Sequence, residues 1–382
     1  MPNTAERLLA DIQQLAPKIA ARAAEIEAEG QFPPDLVESL RSIGAFRMFA
    51  PQSHGGLELD LPVAIKIITT LCKIDGSVGW NVATCNGGHL FASLLPRQTY
   101  EQLYDNGPNM ISGSNQPVGM AEATDGGWRV NGRWPFASGC QYASWMFAFC
   151  IMTEGGKPLP GPDGEAGPLA RGFFLPARDW QIEDTWHVAG LKGTASHHIA
   201  LRNTVVPTAN FFDFPSGVSC LEGPLYQDVR QLLPLMHGAV SVGMAEAALN
   251  DLVELANSGR RQLRASVPMR DSEIFQFELG RVAADLRAAR AFLQVQVASH
   301  WLHALAGTLS SEALHAQGAQ TATWIATTCV RVADGCFSLA GGAAVYETSP
   351  LQQRLRDIHT AAQHAAAHHR HYGSAGKLLL GS

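Results

Sequence analysis

The spacing of apolar residues changes twice along this chain of 382 residues, and these two changes constrain the fold more than any other feature. Up to about residue 107, apolar side chains recur every three to four positions, which is typical of amphipathic helices. Between 109 and about 215 the period falls to two, which is typical of strands. From 226 onward the helical period returns. The sequence therefore predicts a mainly α protein with a central β domain, divided at 1–108, 109–215 and 216–382.

The last region predicts four long helices, at 229–258, 271–306, 310–339 and 350 to about 371. Four helices with short connections favour an antiparallel bundle. In the middle region, Asn131-Gly132 lies between alternating apolar and polar residues, a pattern that predicts a hairpin turn.

Composition restricts the partners of the chain. Charged residues make up 16%, against roughly 25% in ordinary soluble proteins, so we expect part of the surface to be buried between copies of the chain. The net charge is −6 and the basic residues form no long run, which argues against nucleic acid as a partner.

Several features predict a cytoplasmic protein. The seven cysteines are scattered and form no CxxC pair, which is typical of a reducing compartment. The first thirty residues lack the pattern of a secretion signal. No run of about 18 uninterrupted apolar residues is present, so no membrane span is predicted.

Four motifs follow one another in a characteristic order. They are residues 43–51 with Gly55-Gly56, residues 133–139, Gly341-Gly342, and residues 354–359 with the sequence Arg-Leu-Arg-Asp-Ile-His. In this order and spacing the chain resembles the acyl-CoA dehydrogenase superfamily over nearly its whole length. The resemblance implies an N-terminal helical domain, a central β barrel or sandwich, and a C-terminal four-helix bundle that associates into tetramers.

The chain lacks the catalytic glutamate of true acyl-CoA dehydrogenases at both of its usual positions. No carboxylate follows Asp357, and Val229 occupies the alternative position in the first bundle helix. The chain instead resembles the two-component flavin-dependent monooxygenases of the same fold, such as the oxygenase that hydroxylates 4-hydroxyphenylacetate. That resemblance implies reduced flavin (FADH2 or FMNH2) from a separate reductase, O2 as co-substrate, a C4a-hydroperoxyflavin, and a small aromatic substrate.

The resemblance implies catalytic roles for His364 and Ser138. A hydroxyl near flavin N5 stabilises the oxygenated flavin, and an imidazole, whose pKa lies near neutrality, supplies or accepts a proton. The alternative for Ser138 is a turn hydroxyl bonded to its own backbone. On one helix His364 and His368 have the spacing of a metal pair, but no carboxylate or cysteine follows to complete a site, so no metal is expected.

Further flavin contacts are implied by the same resemblance. They are Trp134, Phe136, Ser138 and Gly139 on the predicted flavin-edge strand, Thr194 and Ser196 before the last strand, and Arg261, Arg264, Gly341 and Gly342 toward the flavin phosphate of a neighbouring subunit. Ordinary glycine turns and a solvated charge cluster remain the alternatives for these residues.

The resemblance also suggests a substrate site on the apolar stretch 76–95. His89 is the candidate contact, with Trp80 and Phe91 beside it. An aromatic stripe of this kind is also typical of an ordinary core.

The leading hypothesis is therefore hydroxylation of an aromatic or heteroaromatic compound, with N- or S-oxygenation open within the same class. A second is an acyl-CoA dehydrogenase-like enzyme with a displaced base, Glu246 or Glu254, and a third is a non-catalytic flavin carrier. The Rossmann signature is absent, so the reductase is expected to be a separate protein.

Overall fold

The computed structural model describes residues 4–105, 107, 109–162, 167–214 and 216–381, and its helices, strands and further helices follow the predicted order. The N-terminal helices are α1 (Thr4–Ala21), α2 (Ala23–Glu29), α3 (Pro34–Ser42), α4 (Leu61–Ile74), α5 (Gly76–Ala92) and α6 (Arg97–Tyr104).

Helix α5 is the central element of this first part. Asp75 caps it by accepting a hydrogen bond from the Val78 amide, and nearly every face of the helix is buried. Trp80 and Thr84 are the partly exposed exceptions. They are four residues apart and therefore share one face, which borders the cavity described below.

The described strands form one mixed sheet. They are β1 (Ile111–Gly113), β2 (Gly119–Thr124), β3 (Gly127–Ala137), β4 (Trp145–Glu154), β5 (Lys157–Pro158), β6 (Ala170–Pro176), β7 (Gln181–Glu183), β8 (His197–Val206) and β9 (Phe211–Asp213). Their order is β7-β8-β3-β2-β4-β6-β9, with β1 and β5 also paired to β4. The sheet encloses its own apolar core, separate from the larger core shared by the N-terminal helices and the bundle.

The predicted hairpin turn at Asn131-Gly132 is wrong. Strand β3 runs straight through these residues, and the turn between β2 and β3 lies at 125–126. Opposite β8 the register shifts between Val130 and Gly132, as in a β-bulge. A Cβ on Gly132 would lie 2.5 Å from the Trp134 indole, so glycine here makes room for a core side chain.

The C-terminal part contains α7 (Leu233–Asn257), α8 (Glu273–Leu305), α9 (Glu312–Ala340), α10 (Pro350–Ala361) and α11 (Arg370–Leu380). The predicted helix from 350 to about 371 is therefore interrupted. Helix α10 ends at Ala361, and a 3-10 turn (Ala365–Ala367) separates it from α11. His364 causes part of this break, since its backbone is extended and its Nδ1 accepts a hydrogen bond from the Ala366 amide.

One helical stretch, Val229–Asn257, is long and apolar enough to cross a membrane by length and composition. Of its most apolar window, 89% is buried inside the molecule, as expected for the central helix of a bundle.

Candidate active site

A cavity of about 810 Å³ lies where the sheet meets α5, α7 and the end of α10. Each of these elements supplies several described lining residues. Helix α5 contributes Trp80, Ala83, Thr84, Gly87 and Phe91; the β domain contributes Phe136, Ser138, Phe147, Trp186, Leu191, Thr194 and Ser196; α7 contributes Leu233, Met236, His237 and Val240; and the C-terminal segment contributes Leu355, Arg356, His359, Thr360, Gln363 and His364.

Three hydroxyl groups form a continuous cluster on the sheet side of the cavity. Ser138 Oγ lies 2.7 Å from Ser196 Oγ, which lies 2.7 Å from Thr194 Oγ1. The cluster forms because Ala137 at the end of β3 pairs with His197 at the start of β8, which brings the two flanking turns together. Two of the flavin contacts implied by the resemblance, Thr194 and Ser196, thus lie beside Ser138.

Backbone strain is concentrated on the same wall. Phe136, Leu191 and Ala195 have φ of 67°, 53° and 46°, in the left-handed region that non-glycine residues seldom adopt. Strained residues of this kind cluster at binding and catalytic sites. Phe136 is also 56% exposed and contacts Trp186 edge to face at 6.2 Å, so the sheet presents an aromatic surface to the cavity.

His364 lies on the opposite wall. The residue is exposed and lines the cavity, and the surrounding protein still desolvates the ring and lowers its pKa. Because Nδ1 accepts a hydrogen bond from the Ala366 amide, Nε2 carries the proton of the neutral ring. The helix break removes the helical spacing of His364 and His368 on which a metal pair would depend.

His237 is a second imidazole in the cavity, and sequence reasoning missed it. It lies on α7, is 6% exposed, and stacks on His364 with ring centroids 5.4 Å apart. Its Nε2 is buried without a hydrogen-bond partner among the described residues. Burial and the nearby His364 lower the pKa of His237 to about 3, so the ring is neutral at physiological pH. The only sequence signal was a histidine within an otherwise apolar helix.

Trp80 connects the two walls. Its indole meets His237 and His364 edge to face, at 5.9 and 5.6 Å, and its Nε1 donates a hydrogen bond of 3.0 Å to Ser138 Oγ. Phe91 lines the cavity beside Phe147, at a centroid distance of 5.0 Å. These two of the three suggested substrate residues therefore border the cavity.

The structure does not bring His89 to the cavity, which corrects the suggested substrate contact. Its Nδ1 lies 2.6 Å from the Tyr104 hydroxyl and its Nε2 lies 2.9 Å from the Phe46 carbonyl oxygen. The side chain is fully buried, and burial lowers its pKa to about 4. His89 is thus a hydrogen-bonded core histidine, and its side of α5 faces away from Trp80.

Trp134 and Gly139 also lie behind the cavity wall rather than on it. Their placement does not support direct flavin contacts. The Trp134 ring is fully buried in the core of the sheet, where its Nε1 donates to the Phe149 carbonyl. The Gly139 amide donates to the Thr194 carbonyl and so holds the two turns of the hydroxyl cluster together.

Arg261, Arg264, Gly341 and Gly342 lie outside the described lining of the cavity. The exposed loop after α7 meets the end of α9, where Gln262 Nε2 donates to the Leu339 carbonyl. Arg261 and Arg264 on this loop and the glycine pair thus form one exposed junction within the bundle. A phosphate contact there stays a prediction for an assembled oligomer.

No aspartate or glutamate occurs among the described residues that line the cavity. Arg356 is the only permanently charged one, and it is paired with Glu27. Neither displaced-base candidate reaches the cavity wall, and Glu246 forms an ion pair with Arg290 on α8. The cavity therefore offers hydroxyls and neutral imidazoles, but no carboxylate base.

These properties fit a flavin ring with a small aromatic molecule beside it. The volume is in the range of cofactor and ligand sites, and the walls are mostly aromatic and aliphatic. Polar side chains line it at the hydroxyl cluster, at residues 112–116, and on the C-terminal segment that carries His364. The unpartnered buried Nε2 of His237 is a further sign of a binding site, since buried polar atoms are otherwise almost always paired.

Comparison with known proteins identifies relatives along nearly the whole chain. The acyl-CoA dehydrogenase N-terminal domain model matches residues 4–113 and the C-terminal domain model matches residues 235–369. Indole-3-acetate monooxygenase of Acinetobacter baumannii is 30% identical over 96% of this chain and 92% of its own length. The flavin-dependent monooxygenase oxygenase subunit HsaA of Mycobacterium tuberculosis is 28% identical over 95% of this chain and 92% of its own.

Solved structures agree with this placement. XiaF from Streptomyces sp., in complex with FADH2 and glycerol, superimposes with a TM-score of 0.91 at 26% identity, covering 98% of this chain and 95% of the other. The HsaA monooxygenase of M. tuberculosis gives a TM-score of 0.89 at 27% identity, covering 99% and 97%.

Proposed function

The chain belongs to the flavin-dependent monooxygenases built on the acyl-CoA dehydrogenase fold, and we propose that it is the oxygenase component of a two-component system. It takes reduced flavin from a separate reductase and, with O2, hydroxylates a small aromatic or heteroaromatic molecule. The observation that carries this proposal is the cavity itself, in which a hydroxyl cluster faces the stacked imidazoles of His237 and His364, and no carboxylate occurs among the described lining residues.

Reduced flavin, when bound, supplies the two electrons with which O2 transfers one oxygen atom to the substrate and releases the other as water. The hydroxyl cluster on the sheet side, with Phe136 and Trp186, provides the surface for the flavin ring. The remaining aromatic side chains, Trp80, Phe91 and Phe147, exclude water from the reacting groups.

His364 is the proposed catalytic imidazole. Its Nε2–H is a hydrogen-bond donor available for an oxygen atom in the cavity, because Nδ1 is held by the Ala366 amide. His237 stacks on it and keeps a second neutral imidazole in the same wall. The neutral pair adds no charge to this wall of the cavity.

The acyl-CoA dehydrogenase alternative has no support in the cavity, since removal of a proton next to a thioester needs a positioned base and neither Glu246 nor Glu254 is there. N- or S-oxygenation uses the same oxygen donor and is tested by the choice of substrates below.

We further propose a cytoplasmic homotetramer. Six of the seven cysteines are buried as free thiols, in keeping with a reducing compartment. Helix α8 exposes Ile274, Phe277, Val295, Leu302 and Leu305, an apolar surface suited to packing between copies. Light scattering is expected to give four times the chain mass, and a monomeric mass would contradict the tetramer.

The function is tested by supplying the protein with chemically reduced FAD or FMN, ¹⁸O2, and a panel of phenols, indoles, aromatic amines and thioheterocycles. We expect at least one compound to gain a single ¹⁸O atom, detected by mass spectrometry. Hydrogen peroxide as the sole product with every compound, together with reduction of bound FAD by an acyl-CoA, would contradict the proposal.

A further inference from the structure

Four hydrogen bonds run in series along the cavity wall, from a group that can only donate to a group that can only accept. Trp80 Nε1 lies 3.0 Å from Ser138 Oγ, Ser138 Oγ lies 2.7 Å from Ser196 Oγ, Ser196 Oγ lies 2.7 Å from Thr194 Oγ1, and Thr194 Oγ1 lies 2.8 Å from the Leu191 carbonyl oxygen. We call this series the hydroxyl relay.

The direction of every bond in the hydroxyl relay follows from counting protons. The Trp80 indole N–H can only donate and the Leu191 carbonyl oxygen can only accept. Between them stand three hydroxyls, each with one proton. Four bonds need four protons, so Trp80 donates to Ser138, Ser138 to Ser196, Ser196 to Thr194, and Thr194 to Leu191.

The surroundings hold the relay in this direction. Thr194 and Ser196 are buried, so water does not offer them other partners. The Leu191 carbonyl oxygen also accepts from the Trp186 indole Nε1 and from the Thr194 amide, and the Leu191 amide donates to Asp357 Oδ1, which fixes the peptide from both sides.

Ser138 is the hydroxyl of the relay that is partly accessible from the cavity, and its only proton is committed to Ser196. It therefore offers the cavity a lone pair and no proton. A ligand atom that carries hydrogen is attracted to this oxygen, whereas a ligand atom with its own lone pair is repelled.

We propose that Trp80, Ser196 and Thr194 are positioning residues: through the hydroxyl relay they hold the Ser138 oxygen as an acceptor for the hydrogen on N5 of reduced flavin, and the preference of the site for reduced over oxidised flavin depends on them. Reduced flavin carries a hydrogen on N5 and donates there, whereas oxidised flavin has a lone pair on N5. This inference rests on the proposed function, because it takes the ligand of the cavity to be flavin. It adds a reason for the protein to bind the product of a reductase and to release the spent, oxidised form.

The test is anaerobic titration of the purified protein with FAD in its reduced and oxidised states, read by flavin fluorescence and absorbance. The wild-type protein is expected to bind reduced FAD at least about tenfold more tightly, the effect of one hydrogen bond gained or opposed. Tenfold selectivity raises the two-electron reduction potential of bound FAD by about 30 mV over that of free FAD, which spectroelectrochemistry measures without turnover.

Thr194→Val is the decisive variant, since it keeps the side-chain shape and removes the terminal donor of the relay. Ser196 then has no acceptor at Thr194 and its proton turns back to Ser138, which frees the Ser138 proton for the ligand. The selectivity is expected to fall toward one. Thr194→Ser, which keeps the hydroxyl, is expected to retain the wild-type ratio.

The matched control is Thr69→Val, the same substitution at a partly buried hydroxyl on α4 that donates to the Ile65 carbonyl of its own helix and lies outside the described lining of the cavity. Its ratio is expected to equal that of the wild type, and circular dichroism checks folding of each variant.

The outcomes separate this inference from the proposed function. If the wild-type protein binds neither state of FAD or FMN, both are overturned. If it binds both states equally, or if Thr194→Val keeps the wild-type ratio, the inference is overturned and the proposed function stands.

Discussion

At the scale of single residues, two histidines from separate elements meet in the cavity. His364 is found from its place after the Arg-Asp motif, whereas His237 becomes visible only when α7 packs against the segment after α10. Both rings are desolvated, so both are neutral hydrogen-bonding groups rather than charges. The chemistry of the site therefore depends on which nitrogen of each ring carries its proton.

Replacing His364 with alanine is expected to lower product formation about 100-fold or more, since positioned proton donors contribute roughly 10²–10⁴ to a rate. Flavin oxidation should continue, with hydrogen peroxide replacing the hydroxylated product in the assay. His187→Ala is the control, because that side chain is 76% exposed, lies outside the described lining and should leave the product yield unchanged. A His364→Ala enzyme that keeps its product yield would remove His364 from the mechanism.

His237→Phe separates a functional from a structural role. The ring shape is kept and the unpartnered buried nitrogen is removed, so the free energy of unfolding should be unchanged or rise by about 1 kcal/mol. Product formation should nevertheless fall at least about tenfold. A stabilised variant with full activity would show that His237 only fills space.

At the scale of elements, the order of helices and strands and much of the site follow from sequence, because hydrophobic period and motif order are local signals. The break after α10 does not follow, since the Ala-rich stretch 365–367 favours helix. The break depends on the local bond from the Ala366 amide to His364 and on tertiary contacts such as Thr323 Oγ1 donating to the His368 carbonyl. Asn131-Gly132 fails as a turn for a related reason: the packing of Trp134 uses the glycine within a strand.

Substrate contacts were the least predictable part of the site. Sequence places His89 on the correct helix, but only the packing of α5 shows that Trp80 faces the cavity while His89 faces Tyr104 and Phe46. The local signal for His237 was only a histidine within an otherwise apolar helix, because its role depends on a neighbour more than 120 positions away in the chain.

The contact between the β domain and α10 offers a test at this scale. A Cβ on Gly190 would lie 2.1 Å from the Arg356 carbonyl oxygen, so Gly190→Ala must push the loop that carries the hydroxyl relay away from α10. We expect a loss of ~1–3 kcal/mol in stability and at least tenfold weaker binding of reduced FAD in an anaerobic titration. Gly280→Ala, on α8 with no atom within 4 Å of the added Cβ, should leave the affinity unchanged; equal affinities in both variants would contradict the predicted coupling.

At the scale of the whole molecule, the site is a junction rather than the property of one domain. The larger apolar core is continuous from the N-terminal helices into the bundle, and Asp357 on α10 accepts a hydrogen bond of 2.6 Å from the Leu191 amide of the β domain. Buried ionisable groups lie on α5 (His89), α7 (His237) and α10 (Asp357). Low pH is therefore expected to change the stability of the whole fold rather than that of one domain.

Stability is expected to decrease as the pH falls below 7. Burial lowers the pKa of His89, His237 and His300 to about 4, 3 and 4, so below pH 6.5 the unfolded chain takes up protons there that the folded chain does not. Burial raises the pKa of Asp357 to about 7, so this group opposes the loss between about pH 7 and 4. The three histidines outweigh the one carboxyl, so these four groups together predict that stability falls as the pH is lowered from 7 to 5. Denaturant unfolding between pH 7 and 5 measures it, and constant or rising stability would contradict the assignment of neutral buried imidazoles.

The central claim is that the cavity protects the reaction of reduced flavin with O2 from water long enough for oxygen transfer. The most direct measurement mixes the anaerobic complex of protein and reduced flavin with O2, without substrate, and follows O2 consumption and hydrogen peroxide release separately in a rapid-mixing instrument. The cavity predicts that O2 is consumed first and that hydrogen peroxide appears after a delay, while free flavin in buffer shows no delay. Simultaneous consumption and release, at the rate of free flavin, would contradict the account.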